Sequence, residues 1–126
     1  MEELIARIAA SAGTDVETAR RAVGAILAFL RKEGQPADVD DLFAHLPGAE
    51  EAAAAAAAQN EGVMSGFMAM MGGGLMGLAA RLTGLGLTMT QMRQIGHEVF
   101  AFAESQAGRE RVRAAAAKIP GASQFF

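Results

Sequence analysis

The sequence predicts an all-α fold, a six- or seven-helix bundle built from two duplicated three-helix units related by a pseudo-two-fold. Three observations predict it. The apolar side chains of this 126-residue chain are Ala, Leu, Ile, Val, Met and Phe, with no Trp or Tyr; with few β-branched runs, that composition favours packed helices over a sheet. The larger apolar residues recur at three- and four-residue spacing, the period of a helix face. Segments also repeat: Leu46-Pro47-Gly48-Ala49 returns as Ile119-Pro120-Gly121-Ala122, an offset of 73 positions. At the same offset, without a gap, Arg20 meets Arg93, Ala28-Phe29 meets Ala101-Phe102, Val39 meets Val112 and Ala44 meets Ala117. Similar pairs (Val16/Met89, Ile26/Val99, Leu27/Phe100) fill the gaps. Upstream the register slips by one, so that Leu4, Ala6, Arg7 and Ile8 match Leu78, Ala80, Arg81 and Leu82; an insertion beside a turn is well tolerated. Alanine matches carry little weight in so Ala-rich a chain, but the ungapped Phe, Val and Pro-Gly-Ala matches read as an internal duplication.

The elements follow in order. A first helix near Glu2–Ala12 puts Leu4, Ile5, Ile8 and Ala12 on one face, and Gly13 supplies its C-terminal cap. Thr14-Asp15-Val16-Glu17 reads as a capping box for the second helix, which carries Val16, Ala19, Val23, Ile26, Leu27 and Leu30 and ends at Gly34. Pro36 suits a first helical position, and Val39, Leu42, Phe43 and Leu46 form the stripe of a third helix that Pro47 stops. Glu50-Glu51 followed by the alanines 52–58 makes a strong local helix, ended by Asn60 or Gly62. With no large side chain, this helix packs either weakly or very close to another backbone. The second copy repeats the plan. It has a helix near Leu75–Leu82, a capping box at Thr88-Met89-Thr90-Gln91, and a long helix lined by Met89, Met92, Val99, Phe100 and Ala103 that stops near Gly108. A last helix carries Val112, Ala116 and Ile119. Phe29 and Phe102 are expected at equivalent buried sites.

The chain is long enough for one modest core and too short for two. It reads as a single helical domain over 1–126, with copy one at about 2–49, the Ala-rich helix and a Gly/Met connector at about 50–74, and copy two at about 75–122. Short first and third helices cannot stand alone, so two copies facing each other is the arrangement that covers both apolar faces.

The run Val16–Pro47 combines a long Ala/Arg-rich amphipathic helix, a Leu30-Arg31-Lys32-Glu33 turn, a short acidic helix and a closing Leu46-Pro47. It resembles a bacterial helical-repeat domain of unknown function whose members carry tandem copies of such a unit. The stretch His97–Phe125 is similar to the C-terminal part of short bacterial proteins in the same unassigned category, which end in a Pro-Gly-x-Ser-Gln-Phe tail (here Pro120-Gly121-Ala122-Ser123-Gln124-Phe125). The resemblance implies a fold and a bacterial origin. Its motifs are packing and turn residues, so it implies no activity and no site residues.

Composition excludes several function classes. A net charge of −3 without a Lys/Arg cluster argues against nucleic-acid binding, which needs concentrated positive charge. The absence of Cys removes disulfides and thiolate metal sites. The start Met1-Glu2-Glu3-Leu4-Ile5-Ala6-Arg7 is acidic where a signal peptide is basic, and the expectation is a mature, cytoplasmic protein. The uncharged run Gly62–Ala80 is long enough to span a membrane; its six glycines and lack of aromatic flanks argue against integral insertion.

No constellation of reactive residues forms a catalytic or metal motif. His45 pairs with Lys118 and His97 with Gly24 in the repeat, so the two histidines are not equivalent, and His97-Glu98 lacks the second His of a zinc helix. His45 sits where a helix C-terminus favours a cation. Asp38, Asp40 and Asp41 lack the glycine turn and distal Glu of a calcium loop and read as helix-start carboxylates. Ser11, Ser65, Ser105 and Ser123 sit in no nucleophile elbow. Gly72-Gly73-Gly74 has no following Lys-Ser/Thr, and Gly84-Leu85-Gly86 is not of the dinucleotide-binding type. No enzyme activity, cofactor or metal is expected. Arg109, Arg111 and Arg113 read as a solvated face. Asp38 and Asp40 stand where the second copy has Arg111 and Arg113, a sign reversal that can steer one copy, or one subunit, onto another.

The connector is the candidate interaction surface: Met64, Phe67, Met68, Met70 and Met71, interleaved with glycine. Met-rich apolar surface adapts to varied partners; the competing reading is a connector tucked over the core. The expected function is a non-enzymatic bacterial helical scaffold or adaptor acting through a protein partner or homo-oligomer. The alternative is a peripheral membrane or lipid-associated protein that uses the same segment.

Overall fold

Glycine and the residue after it set the first turn of the chain. Gly13 takes a left-handed φ of 70°, and the Thr14 N–H then reaches back to the Ala9 carbonyl at 3.0 Å, the 6→1 bond of a Schellman cap. The same device recurs at Gly86, φ 87°, where the Leu87 N–H reaches the Leu82 carbonyl at 3.3 Å. The computed structural model describes residues 2–60 and 82–117. Its helices there are α1 (Glu2–Ala12), α2 (Val16–Glu33), α3 (Pro36–Ala44), α4 (Ala49–Asn60), α5 (Met89–Ala107) and α6 (Arg109–Ala117), with residues 82–84 helical as well. The described part of the chain is all-α and contains no strand.

The helix starts show one expectation met and one corrected. Thr88 caps α5 in a complete capping box: its hydroxyl accepts from the Gln91 N–H and the Gln91 side chain accepts from the Thr88 N–H. At α2 the expected Thr14–Glu17 box does not form. Asp15 is the cap, one residue on, because its carboxylate accepts from both the Thr18 N–H (3.3 Å) and the Thr18 hydroxyl (2.6 Å). His45 lies just past the last residue of α3 as its C-cap.

Packing follows the apolar stripes. Leu4, Ile5 and Ile8 of α1 are buried, and α1 packs on both α2 and α5. Val39, Leu42 and Phe43 of α3 and Val112, Ala115 and Ala116 of α6 are buried where these two helices meet. The long helices α2 and α5 also touch. One contiguous core results, with no buried polar or charged residue among the described ones. The Ala-rich helix α4 lies against α2 in the most extensive helix–helix contact of the described elements, so of the two expected modes it is the close one. Ala49 and Ala53 are buried there.

Element bounds and burial repeat at the offset of 73. Helices α2 and α5 begin 73 positions apart, and α3 and α6 both begin and end 73 apart. The pairs Ala19/Met92, Ala22/Ile95, Ile26/Val99, Leu27/Phe100, Leu30/Ala103, Val39/Val112 and Leu42/Ala115 are buried at both members. Val16 and Met89, expected on the apolar stripes, are instead the exposed large apolar residues among the described ones, at 49% and 63%, because each sits in the first turn of its helix. The first turn repeats too, since Ala9, Gly13 and Thr14 correspond to Leu82, Gly86 and Leu87 at the same offset. Phe29 and Phe102 break the pattern. Phe29 is buried and Phe102 only partly so, which corrects the expectation of equivalent sites; Phe100, on the core side of the same turn, is the buried ring of α5. A second break lies on the outer face. Gly24 and Ala25 of α2 are buried, whereas their counterparts in α5 are the exposed His97 and the half-buried Glu98.

Two residues hold elements together in ways their types explain. Gly34, at the end of α2, has an ordinary φ of −78° and is required for space. A Cβ there would stand 2.6 Å from the Leu30 carbonyl oxygen, 2.6 Å from Val39 Cγ2 and 3.1 Å from the Ala115 carbonyl oxygen. Gln91 uses both ends of its amide, the oxygen in the capping box and Nε2 as a donor to the Ala12 carbonyl at 2.9 Å. Gln94 adds a bond to the Ser11 hydroxyl at 2.8 Å, so the first turns of α5 grip the end of α1.

Gly34→Ala is expected to destabilise the fold by about 1–3 kcal/mol through overpacking, measured as a shift of the denaturation midpoint at constant slope. Gln91→Glu keeps an acceptor for the capping box but sets a carboxylate against the Ala12 carbonyl; a loss of about 1–3 kcal/mol is expected, and a neutral result would show that the Gln91–Ala12 bond is not formed in solution.

Candidate functional site

The residues singled out in the sequence separate into those the fold uses and those outside the described residues. Met64, Phe67, Met68, Met70 and Met71 lie outside the described residues, as do Ser65, Lys118 and Ser123. His45 is exposed, with Nδ1 2.9 Å from the Asp41 carbonyl oxygen one turn back. His97 is exposed on α5, on a different helix from His45. No three His, Cys, Asp or Glu side chains converge on a possible metal position among the described residues. Ser105 donates to the Phe102 carbonyl of its own helix.

The acidic and basic groups of α3 and α6 meet one another. Arg111 Nε donates to Asp41 Oδ2 at 3.0 Å and Arg111 Nη1 to the Ala107 carbonyl at 3.0 Å, so the pair that forms between the two segments uses Asp41 and not Asp38 or Asp40. Asp40 turns instead to Arg31 (3.6 Å), which also reaches Glu50 (3.2 Å) and lies 5.4 Å from the Phe43 ring centroid. Arg109 pairs with Glu104 at 3.9 Å. These pairs are open to solvent, and pairs of that kind each contribute little to stability.

Two surface clefts flank α4. One, of about 260 Å³, lies between α1, α2 and α4, with Gly24, Gly48 and Ala52 beside Glu2, Arg20 and Glu51. The other, of about 450 Å³, lies between α2 and α4 around Ala28, Arg31, Lys32 and Glu50. In the first, the Arg20 guanidinium and the Glu2 carboxylate form a two-pronged pair, with Nη2 to Oε2 at 2.8 Å and Nη1 bonded to Oε1. This pair ties the start of α1 to α2 and was not read from the sequence. Its members are 18 positions apart, outside any helical spacing, so only the tertiary path of the chain brings them together. The Arg20 hydrogen bond holds the Glu2 carboxyl below the usual carboxylate range, and the Thr18 hydroxyl does the same for Asp15.

Comparison of the chain with protein-family models, with curated proteins and with solved structures finds no match. No described helix is long and apolar enough to cross a membrane.

Both depressed carboxyls set an acid limit. The unfolded chain binds protons at these sites at a higher pH than the folded one. Stability therefore rises with pH across that interval and is fully present above the unfolded carboxyl range near about 4. The melting temperature is expected to be flat from neutral pH to about pH 5 and to fall as the pH drops through the folded values of Glu2 and Asp15. In Glu2→Gln with Asp15→Asn the acid-induced fall should be shallower; an unchanged acid limb would show that neither pairing survives in solution.

Proposed function

We propose that this chain is a non-enzymatic helical scaffold of bacterial type that acts through protein–protein contact, with a duplicated three-helix unit as its frame and the Gly/Met connector as its contact surface. The observation that carries the reading is the chemistry of residues 62–74. Five glycines there alternate with Val63, Met64, Phe67, Met68, Met70 and Met71. Glycine at this density raises the entropic cost of ordering, so a link with no other role would more economically be short and polar. Apolar side chains gathered in such a segment are the material of an interaction patch.

The fold lends support from the other side. In the described helices several ionisable groups pair with one another at the surface and the buried core is apolar, which is the make-up of a frame. The duplication is supported by the shared offset of caps, helix bounds and buried positions, and by like packing on like, α2 on α5 and α3 on α6. Such a frame closes its own apolar faces and leaves the segment between its halves as the part free to vary in role. The uncharged run 62–80 equally suits a membrane surface, the second reading.

Phe67→Ser combined with Met68→Ser is expected to leave the fold and melting temperature nearly unchanged while abolishing self-association in analytical ultracentrifugation or capture of a protein partner. Co-sedimentation with anionic vesicles separates the readings: retention on vesicles by the native chain and loss in the double variant would replace the adaptor reading by the membrane one. Unfolding of the variant, or unchanged contacts, would make the segment core or filler.

A further inference from the structure

Helix α4 differs in kind from its neighbours. The other described helices each pack against at least two others, whereas the principal neighbour of α4 among them is α2 alone. Its docking surface is alanine: Ala49 and Ala53 are buried and Ala52 half-buried, while Ala54 and Ala55 are exposed. It runs antiparallel to α2, since Glu50 stands beside Arg31 near the end of α2 while Ala55 shares a cleft with Arg20, Arg21 and Gly24 further up. The groove it fills has no counterpart on α5, where His97 and Glu98 replace Gly24 and Ala25. The contact is close, yet each methyl removes little apolar area from water, and hydrophobic stabilisation scales with that area. The first polar tie is Arg31, which bridges Glu50 of α4 and Asp40 of α3 while lying over Phe43.

We infer that α4 is a detachable strap, latched by Arg31, that leaves α2 as a unit while the rest of the bundle stays folded. Among the described residues, opening removes the contacts that Ala49 and Ala53 add to the core and one exposed ion pair, and leaves the larger Leu, Ile, Val and Phe side chains of the other helices packed together. Such local openings lie below the global unfolding energy. A free helix of this length is marginal in water even when Ala-rich, so the released strap frays and its amides exchange. Undocking uncovers the face of α2 that carries Gly24 and Ala28, which line the clefts beside α4. This inference is independent of the role proposed for the connector.

Hydrogen exchange read by mass spectrometry on the full chain tests it. Amides of α4 should exchange faster than those of Val23–Leu30 in α2, and added salt should widen the gap by screening the latch. Glu50→Gln removes only the α4 side of the latch and should raise α4 exchange roughly twofold to fivefold with α2 and α3 unchanged. Glu51→Gln removes the same charge from the same helical turn without touching Arg31, and its smaller effect isolates the latch from the helix dipole. Arg31→Gln should loosen α3 as well as α4. Exchange of α4 in step with α2, or equal effects of Glu50→Gln and Glu51→Gln, overturns the proposal.

Discussion

The apolar faces of α2 and α5 have to be covered, and the helices available to cover them are short. Helices α3 and α6, of nine residues each, and α1, of eleven, lie below the length at which a helix holds in water by its own hydrogen bonds. Each persists because its stripe docks on a long helix, and each long helix in turn has part of its apolar face covered by a short one. This mutual dependence explains why α1 sits on both α2 and α5 and why its end is closed by a Schellman cap and by the Gln91 amide. A short helix gains little per residue, so an unsatisfied end would cancel much of what its burial supplies.

Much of this plan is legible along the chain because it is local. Gly13, Pro36 and Gly108 punctuate the sequence by conformational preference, Thr88 by its capping side chain and Gly34 by its small size, and the helices of the structure start or stop at or beside them. Leu4, Ile5 and Ile8 of α1 and the stripe residues of α3 are buried as their spacing requires, with Ala12 half-buried. What sequence reasoning missed is tertiary. Thr14 and Asp15 are both competent caps, and Asp15 prevails because it bonds the backbone and side chain of Thr18 together. Phe100 and Phe102 both suit a buried stripe, and the rotation of α5 against its neighbours decides between them. The Arg20–Glu2 pair, the three-way setting of Arg31 and the second use of Gln91 each join groups remote in sequence, where no periodicity points.

Gln91 shows how a local motif and a long-range contact coincide in one side chain. A capping box accepts either Glu or Gln at its third helical position, so the box alone leaves the choice open. The Ala12 carbonyl at the end of α1 needs a donor, and only the amide offers one on its other arm. The residue that starts α5 therefore also ends α1. The candidate contact surface had no such advantage. Its reading rests on composition, and composition says what a segment can do without saying what it faces.

The same limit of local reasoning applies to charge where α3 meets α6. In the proposed duplication, pairing like helices sets a surface against a copy of itself. If α6 had kept the acidic residues of α3, position 111 would carry an aspartate within reach of Asp41, and like charges at that distance disfavour the seam. The residue there is Arg111, and it bonds both Asp41 and the Ala107 carbonyl. Both side chains of that pair are about half exposed, at 45% and 56%, so its net stabilisation is small. Its effect is on choice of partner. An acidic α3 pairs with a basic α6 and repels another α3. On this reading the divergence of sign between the copies orients one half of the frame on the other, while the aliphatic residues between them supply the cohesion.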